Sequence, residues 1–440
     1  MTPTIDITQP YEHLVFQRDN ANRAAVPIVG KAPVGTDTIE VVLTPLKGKT
    51  ATIANQRIKP DAVTGKFSGT IIALGGTYEL TLTAKKNGLT VATGSVGRVN
   101  VGEVFIIYGH SVAQGGQHSD VATYGNTAGP GANDDRVIVD AGPAPDPFAE
   151  SALGKPGNFK PLTVGSNILP FHGAPYAYGY LGDLLVKQLD VPVLFLGCAF
   201  GGSNLDGAVK VIQGIPFEHP FVKYDQRMPI RPVEAALSVY GPLTGGFRGV
   251  LMNHGANDKG YGITTDAFLE RMRVVINYIR QKAQRADLTF WVAVDSDSNP
   301  EFVPIIAGQE KAIATLPNLR RGADLKKLLP TDRPDNVHLN QAGLPHYAQA
   351  WADVLTPADL AAVPMPAVVG ENNTGLANLA TTVVDGLDRY LPAALLVVAV
   401  VLLGLTAWSR RRPLVLVSAG LAGVAGTLVI WRSIKPTSTT

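Results

Sequence analysis

The chain has 440 residues, which is enough for two or three domains of ordinary size. Its 38 Lys and Arg residues nearly balance its 36 Asp and Glu residues, and without a basic stripe the sequence gives no electrostatic reason to expect a nucleic-acid partner. A single cysteine, Cys198, excludes an intramolecular disulfide and a thiolate metal cluster.

Residues 1–100 are predicted to form a small, immunoglobulin-like β-sandwich. Short runs rich in Ile, Val, Thr and Tyr, such as Ile39–Leu43, Gly69–Leu74 and Tyr78–Thr83, alternate with Gly, Pro, Asp and Asn turns. Regular short strands with such turns are typical of sandwiches. This part of the sequence contains no candidate catalytic grouping, and Met1–Pro10 does not resemble an ordinary signal peptide.

Residues 101–356 are predicted to form a doubly wound α/β domain with a parallel sheet. Apolar runs typical of buried parallel strands alternate with helical stretches. The predicted strands are Val101–Tyr108, Val191–Gly197, Gly249–Asn253 and Leu288–Asp295, and the predicted helices are Tyr180–Leu189, Thr265–Arg285 and Asn340–Leu355. The Gly- and Pro-rich segment 114–171 has no periodicity, and we expect it to form the wall of a binding cleft.

The last part of the chain has the composition of a membrane anchor. A linker rich in Ala, Pro, Asn and Thr is predicted over residues 357–390. Leu391–Trp408 and Leu414–Trp431 are each about long enough to span a bilayer core and each ends in a tryptophan. We therefore expect a two-helix transmembrane hairpin over residues 391–431, with a buried helical hairpin as the alternative.

The orientation of that hairpin is suggested by its short loop. Arg410–Arg412 lie between the two runs, and positive charge in a short loop favours the cytoplasmic side. This topology predicts that the rest of the chain is extracytoplasmic. The lack of a signal-peptide pattern argues against that direction.

Small-residue turns follow three of the predicted strands. They are Gly109-His110-Ser111, Gly201-Gly202-Ser203-Asn204 and Gly255-Ala256-Asn257-Asp258. A fourth segment, Asp335-Asn336-Val337-His338, precedes the last predicted helix. Because ligands bind beyond the carboxyl ends of the strands in open α/β sheets, we expect these segments to converge there.

The four segments contain the groups that acyl transfer needs. That reaction requires a hydroxyl nucleophile, an imidazole base, a carboxylate that orients the imidazole, and donors for the oxyanion. Ser111 is predicted to be the nucleophile and His338 the general base. Asp335, three residues before the histidine, is within reach of the other ring nitrogen.

Three groups are predicted to stabilise the oxyanion. They are the backbone N–H groups of Ser111 and Gly202 and the side-chain amide of Asn257. Gly201 is the alternative to Gly202, one residue earlier.

Two further histidines flank the predicted centre. His110 and His254 are candidates for substrate contact, with packing as the alternative. Together with Asp258 they match no familiar metal-binding spacing, so we expect neither a metal ion nor another cofactor.

The four segments together resemble the SGNH, or GDSL-like, hydrolase superfamily. Gly255–Asp258 and Asp335–His338 match the GxND and DxxH blocks of that family. Val101–Phe105, leading into Gly109-His110-Ser111, is similar to the sialate O-acetylesterase branch, in which the block reads GQSN. His110 and Val112 depart from that block.

The likeness to the sialate O-acetylesterase branch extends to the amino-terminal part of the chain. Phe16-Gln17-Arg18-Asp19 resembles the small sandwich that precedes some carbohydrate esterases. The third block departs from this branch, because His254-Gly255-Ala256 stands where the branch tends to carry QGE.

The resemblance implies a serine esterase that removes O-acetyl groups from a carbohydrate, such as a surface glycan or a cell-wall polymer. One alternative is a lipid or thioester hydrolase, which the polar, Gly-rich cleft segment disfavours. Another is a catalytically inactive SGNH domain that binds glycans. The intact Ser, His, Asp and Asn set argues against this reading, because a binding module does not need it.

Overall fold

The computed structural model describes residues 3–48, 51–115, 120–143, 156–171, 173–220, 222–261, 263–296, 302–369, 414–420 and 427–433. The chain divides into two compact units, Met1–Gly370 and Glu371–Thr440.

The amino-terminal part of the first unit is a β-sandwich. Its strands are β1 Asp6–Gln9, β2 Val15–Gln17, β3 Arg23–Lys31, β4 Thr38–Lys47, β5 Ile53–Ile58, β6 Lys66–Leu74, β7 Gly76–Lys86 and the first half of β8 Leu89–Gly109. One layer has the order β1-β3-β6, and the other pairs β5, β4, β7 and β8 in that order. Alternate residues of β3 and β4 are buried in one core, as expected of strands with one face turned inward.

Strand β8 belongs to both halves of this unit. From Leu89 to Val101 it pairs antiparallel with β7, and from Glu103 to Gly109 it lies between parallel strands of the second half. The predicted domain boundary between residues 100 and 101 therefore falls inside a continuous strand.

The second half is a mixed sheet with the order β10-β9-β11-β8-β12-β13-β14, parallel throughout except for β10 at the edge. Its further strands are β9 Val137–Asp140, β10 Phe159–Pro161, β11 Val193–Gly197, β12 Gly249–Asn253, β13 Thr289–Val294 and β14 Leu319–Asp324. The predicted strands from residues 101 to 295 are all present, whereas β9, β10 and β14 were not predicted.

Helices cover both faces of this sheet. They are α1 Ser111–Gln114, α2 Val121–Tyr124, α3 Tyr178–Leu189, α4 Leu205–Gln213, α5 Arg231–Ala235, α6 Gly241–Thr244, α7 Thr265–Lys282, α8 Val303–Thr315, α9 Gly343–Ala352 and α10 Pro357–Ala361. A π-helical turn, Ala236–Tyr240, joins α5 to α6, and 3₁₀ helices span Ala256–Tyr261, Leu325–Lys327 and Pro330–Asp332.

The two faces of β8 show why the domain is doubly wound. Val104, Ile106 and Tyr108 are buried with residues of α4 and α7, whereas Phe105 and Ile107 are buried with residues of α3 and α9. A strand covered on both faces is apolar throughout, which is the pattern that predicted it. The predicted α/β fold class is confirmed.

A buried ionic cluster joins the sandwich to the start of the parallel sheet. Glu103 is fully buried and accepts hydrogen bonds from Gln17 Nε2, Arg18 Nε and Arg248 Nε at 2.9, 2.8 and 2.7 Å. The cluster lies near the amino end of the parallel part of β8, opposite the end that carries the predicted site.

The chain remains packed beyond the predicted end of the domain. Leu360 and Val363 belong to the core on the α3 and α9 side of the sheet, so the first residues of the predicted linker are part of the compact unit.

In the second unit the structure describes two antiparallel strands, β15 Leu414–Gly420 and β16 Thr427–Ser433. They lie where the second helix of the hairpin was predicted, and this part of the prediction differs from the structure. Both segments are rich in Val, Leu and Ile, and an apolar run without a polar face does not distinguish strand from helix. The first run, residues 391–408, lies outside the described residues. Among the described helices, none combines the length and apolar composition needed to cross a bilayer.

Candidate active site

Ser111 lies at the carboxyl end of the central strand β8. The strand ends at Gly109, where a Cβ atom would lie 2.2 Å from the carbonyl oxygen of Asn253 on β12, so only glycine fits. His110 then caps α1, and Ser111 is the first helical residue. This tight strand-to-helix turn leaves the Ser111 side chain partly exposed at the edge of the sheet.

The structure brings Ser111, His338 and Asp335 into one hydrogen-bonded chain. The Oγ of Ser111 is 2.9 Å from Nε2 of His338, and Nδ1 of the same ring is 2.7 Å from Oδ2 of Asp335. The other carboxylate oxygen, Oδ1, accepts the backbone N–H groups of Val337 and His338 at 2.9 and 2.7 Å. One carboxylate therefore fixes both the turn and the imidazole that the turn carries.

These hydrogen bonds stabilise the ionised form of Asp335. Partial burial would raise the pKa of the carboxyl group, but the bonds from the His338 ring and from the N–H groups of His338 and Val337 outweigh it. The pKa of Asp335 consequently lies well below its usual value. An ionised Asp335 favours the proton on Nδ1 of His338, which leaves Nε2 to accept the proton of Ser111.

The glycine turn after β11 packs against the serine. A Cβ atom on Gly201 would lie 3.5 Å from Cβ of Ser111. The N–H of Gly201 donates to Oε1 of Gln114 at 2.7 Å, whereas the N–H groups of Gly202 and Ser111 have no acceptor within the described part of the chain. Of the two glycines, Gly202 is thus the one with an available donor, and its φ of 72° suits glycine.

Asn257 is connected to the same turn. It lies in the 3₁₀ helix after β12, and its Nδ2 donates to the carbonyl oxygen of Ser203 at 2.9 Å. An amide nitrogen carries two hydrogens, so one remains for a ligand. The structure therefore places Asn257 beside the glycine turn, as the order of the blocks predicted.

The next residue, Asp258, acts on the helix behind that turn. Its carboxylate is buried and accepts the backbone N–H of Leu205, the first residue of α4, at 3.1 and 3.2 Å. Burial, partly opposed by this hydrogen bond and by Arg271, raises the pKa of Asp258 to about 6. Asp258 therefore caps α4. The hydrogen bonds of its carboxylate do not involve Ser111, His338 or Asp335.

His110 and His254 are buried, which favours packing, the alternative reading, over the predicted substrate contact. Their exposed fractions are 0% and 2%, and their ring centroids lie 6.0 Å apart inside the protein. Burial lowers the pKa of His110 to about 4 and that of His254 well below its usual value, so both rings are neutral at neutral pH. Among the residues that the structure describes, no three His, Cys, Asp or Glu side chains are grouped as metal ligands.

An ion pair that the sequence analysis did not predict lies beside the turn Asp335–His338. Arg333 Nη1 and Nη2 donate to Oδ1 and Oδ2 of Asp295, both at 2.9 Å. The residues are 38 positions apart, and no spacing pattern links them. The only sequence signal is that Arg333 precedes Asp335 by two residues and Asp295 follows a buried strand.

A groove of about 620 Å³ is lined by the segment that follows α4, and neither Ser111 nor Gly202 nor His338 is among its described lining residues. Its lining comprises Phe217, Glu218, His219, Pro220, Val222, Lys223, Tyr224 and Asp225. Val222 packs in one buried cluster with Phe200, which immediately precedes Gly201. The rings of Phe217 and Tyr224 are partly exposed and lie 5.8 Å apart. The predicted cleft wall over residues 114–171 contains α2, β9 and β10, and its segments 116–119 and 144–155 lie outside the described residues.

The four blocks thus lie around the carboxyl ends of the parallel strands. No family model matches the chain. No curated protein matches it either.

Several solved structures are similar to the chain. A carbohydrate acetylesterase from Xanthomonas citri is 19% identical, with a TM-score of 0.46, over 81% of this chain and 75% of its own. A protein from Arabidopsis thaliana is 14% identical, with a TM-score of 0.36, over 60% and 99%. A lipase/acylhydrolase from Enterococcus faecalis is 14% identical, with a TM-score of 0.28, over 57% and 93%. At these identities and TM-scores we draw nothing about the reaction or substrate of this chain from them.

Proposed function

We propose that the protein is an SGNH-type serine esterase that removes acetyl groups from a carbohydrate. The observation that carries the esterase proposal is the hydrogen-bonded chain from Ser111 through His338 to Asp335. A serine that bonds an imidazole, itself oriented by an ionised carboxylate, is the arrangement that makes a hydroxyl nucleophilic.

The reaction follows from the positions of these groups. The Oγ of Ser111 attacks the acyl carbon while Nε2 of His338 takes its proton. The oxyanion is stabilised by the N–H groups of Ser111 and Gly202 and by the amide of Asn257. His338 then gives the proton to the departing alcohol, and water releases the acyl group from the serine by the same steps.

The groove lined by Phe217 and Tyr224 supports a sugar as the alcohol part of the substrate. The partly exposed rings of Phe217 and Tyr224 provide apolar faces, while Glu218 and Asp225 provide exposed acceptors for hydroxyl groups. Apolar walls with a few polar groups are typical of small-molecule sites. A long acyl chain would need a deep apolar pocket without such carboxylates.

The esterase proposal is tested by substituting the nucleophile. Ser111→Ala should reduce the hydrolysis of p-nitrophenyl acetate by about 10⁴-fold or more without unfolding the protein, because nothing else in the site forms the acyl intermediate. Ser238→Ala is the matched control, since Ser238 is exposed and its hydroxyl donates to the helix carbonyl oxygen of Glu234. A folded Ser111→Ala protein with wild-type turnover would overturn the proposal.

The substrate proposal is tested by varying both halves of the ester. Activity should fall steeply from acetyl to octanoyl esters. Tyr224→Ala should raise KM for an acetylated oligosaccharide while leaving kcat/KM for p-nitrophenyl acetate unchanged, because only the sugar reaches the groove. A preference for octanoyl esters would favour a lipid hydrolase, and a Tyr224→Ala effect of equal size on both substrates would contradict a sugar subsite.

A further inference from the structure

The ion pair formed by Arg333 and Asp295 lies at the start of the turn that carries Asp335 and His338, where it can control the position of both side chains. Both side chains are nearly buried, with exposed fractions of 10% and 3%. Two parallel N–H···O bonds hold the guanidinium in one plane relative to the carboxylate, which fixes orientation as well as distance. A buried pair of this geometry is strong, and loss of one partner leaves the other charge uncompensated.

The Asp295 end of the pair is anchored to the sheet. Asp295 directly follows β13, and its backbone N–H donates to Oε1 of Gln309 at 2.9 Å. The Nε2 of Gln309 donates to the carbonyl oxygens of Asp295 and His254 at 2.7 and 2.8 Å. Gln309 is fully buried on α8 and thereby connects the ends of β12 and β13. Asp295 is therefore tied through Gln309 to the ends of two strands of the sheet.

At the other end of the pair, Arg333 begins the turn that carries Asp335 and His338. The carbonyl oxygen of Arg333 accepts the N–H of Asn336 at 2.9 Å, and Asn336 has a φ of 63° in the left-handed region. Asp335 and His338 have side chains that are 38% and 31% exposed, so close packing does not hold them in place. Val337 and Leu339 of the same turn do pack against the core, so the orientation of the turn is shared between this packing and the hydrogen bonds at its start.

The other end of this turn is fastened separately. Asn340 Nδ2 donates to the carbonyl oxygen of Thr331 at 2.7 Å, and the N–H of Asn340 donates to that of Asp332 at 2.9 Å. These bonds close the loop on itself. Beside the packing of Leu339 in the core, the bond from Arg333 to Asp295 connects the loop to the end of β13.

We propose that Arg333, held by Asp295, is a positioning residue that keeps Nε2 of His338 at hydrogen-bonding distance from Oγ of Ser111. This inference rests on the proposed esterase function. The role requires a guanidinium, because its two N–H groups bind both carboxylate oxygens of Asp295 at once. A lysine in its place supplies its charge from a single point and leaves the turn free to rotate. A displacement of about 1 Å between nucleophile and base costs on the order of 10²-fold in rate.

The experiment measures kcat and KM of the full chain with p-nitrophenyl acetate for Arg333→Ala and Arg333→Lys. Both variants should lose about 10²-fold in kcat with KM nearly unchanged. Guanidinium added at sub-denaturing concentration should restore part of the kcat of Arg333→Ala and none of that of Arg333→Lys. Arg136→Ala is the matched control, because Arg136 also forms a forked pair, with Asp134, at 3.0 and 2.9 Å. Its loss should lower the melting temperature without changing kcat or responding to guanidinium.

A second readout does not depend on turnover. The Nδ1 proton of His338, bonded to Asp335, should give a downfield NMR resonance whose position changes when Ser111→Ala removes the bond to Nε2. In the Arg333→Ala background, Ser111→Ala should change this position much less, because the two side chains are already apart. A wild-type kcat in folded Arg333→Lys, or a full-sized Ser111→Ala change in the Arg333→Ala background, would overturn the positioning role. A wild type that hydrolyses no ester would instead overturn the esterase function, and the resonance would still test the positioning role.

Discussion

At the residue scale, the D-x-x-H spacing lets one carboxylate, that of Asp335, bond both the backbone of the turn and the ring of His338. Oδ1 of Asp335 accepts the N–H groups two and three residues further along, which bends the chain into a turn. The same bend brings the ring of His338 back to Oδ2. The spacing therefore determines both the local backbone and the orientation of the base, and this is why two residue types at a fixed separation were enough to predict the contact.

Asn257 provides the residue-scale prediction. Asn257→Ala should lower kcat by about 10²–10³-fold with a much smaller change in KM, because the amide acts mainly on the charge that develops in the transition state. Steady-state kinetics with an acetyl ester measure the two constants separately. A change confined to KM would mean that Asn257 binds the substrate in its ground state instead.

At the scale of elements, helix α4 supports the glycine turn that carries Gly202. Its N-cap is Asn204, whose side chain accepts the N–H of Gly207 at 2.8 Å, and Asp258 accepts the N–H of Leu205. Gly202 lies two residues before that cap. Two residues thus fix the start of the helix: Asn204 from the turn that precedes it, and Asp258 from the 3₁₀ helix after β12.

The cap can be tested independently of the chemistry. Asn204→Ala should lower the free energy of unfolding by about 1 kcal/mol, the usual cost of losing an N-cap side chain. Urea denaturation measures this cost. The kcat of this variant should fall far less than that of Asn257→Ala, although the two residues serve adjacent turns. Unchanged stability would show that Asp258 alone caps the helix.

The sequence predicted the elements with a strong pattern and missed those without one. Strands β11, β12 and β13 are short apolar runs, and α7 has a clear apolar face, so their positions follow from composition. Strands β9 and β10 have only four and three residues within an aperiodic segment. Their pairing depends on the neighbouring strand, which no local pattern reports.

The site shows the same limit. Its hydroxyl, imidazole, carboxylate and amide were predicted because their chemistry is recognisable at the ends of strands. For His110 and His254 the structure favours packing over substrate contact, and neither residue type nor spacing shows in advance that both rings are buried. The pairing of Arg333 with Asp295 depends on where β13 ends relative to the turn Asp335–His338, which only the folded chain shows.

At the scale of the whole molecule, β8 connects the sandwich to the catalytic sheet. Its first part completes a layer of the sandwich, its last residue precedes His110 and Ser111, and Glu103 between them bonds Arg18 and Arg248. The strand that carries the nucleophile is therefore fixed along its whole length. For the second unit, Glu371–Thr440, we propose from composition alone that its apolar runs attach the chain to a membrane, although the second run contains two strands instead of the predicted helix.

Membrane attachment can be measured by fractionation. The full chain should sediment with membranes and resist extraction by high salt and alkaline carbonate, whereas a chain ending at residue 370 should stay in the supernatant, because it lacks both apolar runs. Protease treatment of intact cells then tests whether the compact unit is extracytoplasmic. A full chain that is recovered in the supernatant would contradict the anchor.

The central claim is that Ser111 is acylated during turnover. The most direct measurement is mass spectrometry of the protein after acid quenching of its reaction with a slowly deacylating aryl ester. We predict one acyl group per chain, located on the peptide that contains Ser111 and missing in Ser111→Ala. Ester hydrolysis that proceeds with no acyl group on the protein, or with the group on another residue, would contradict the account.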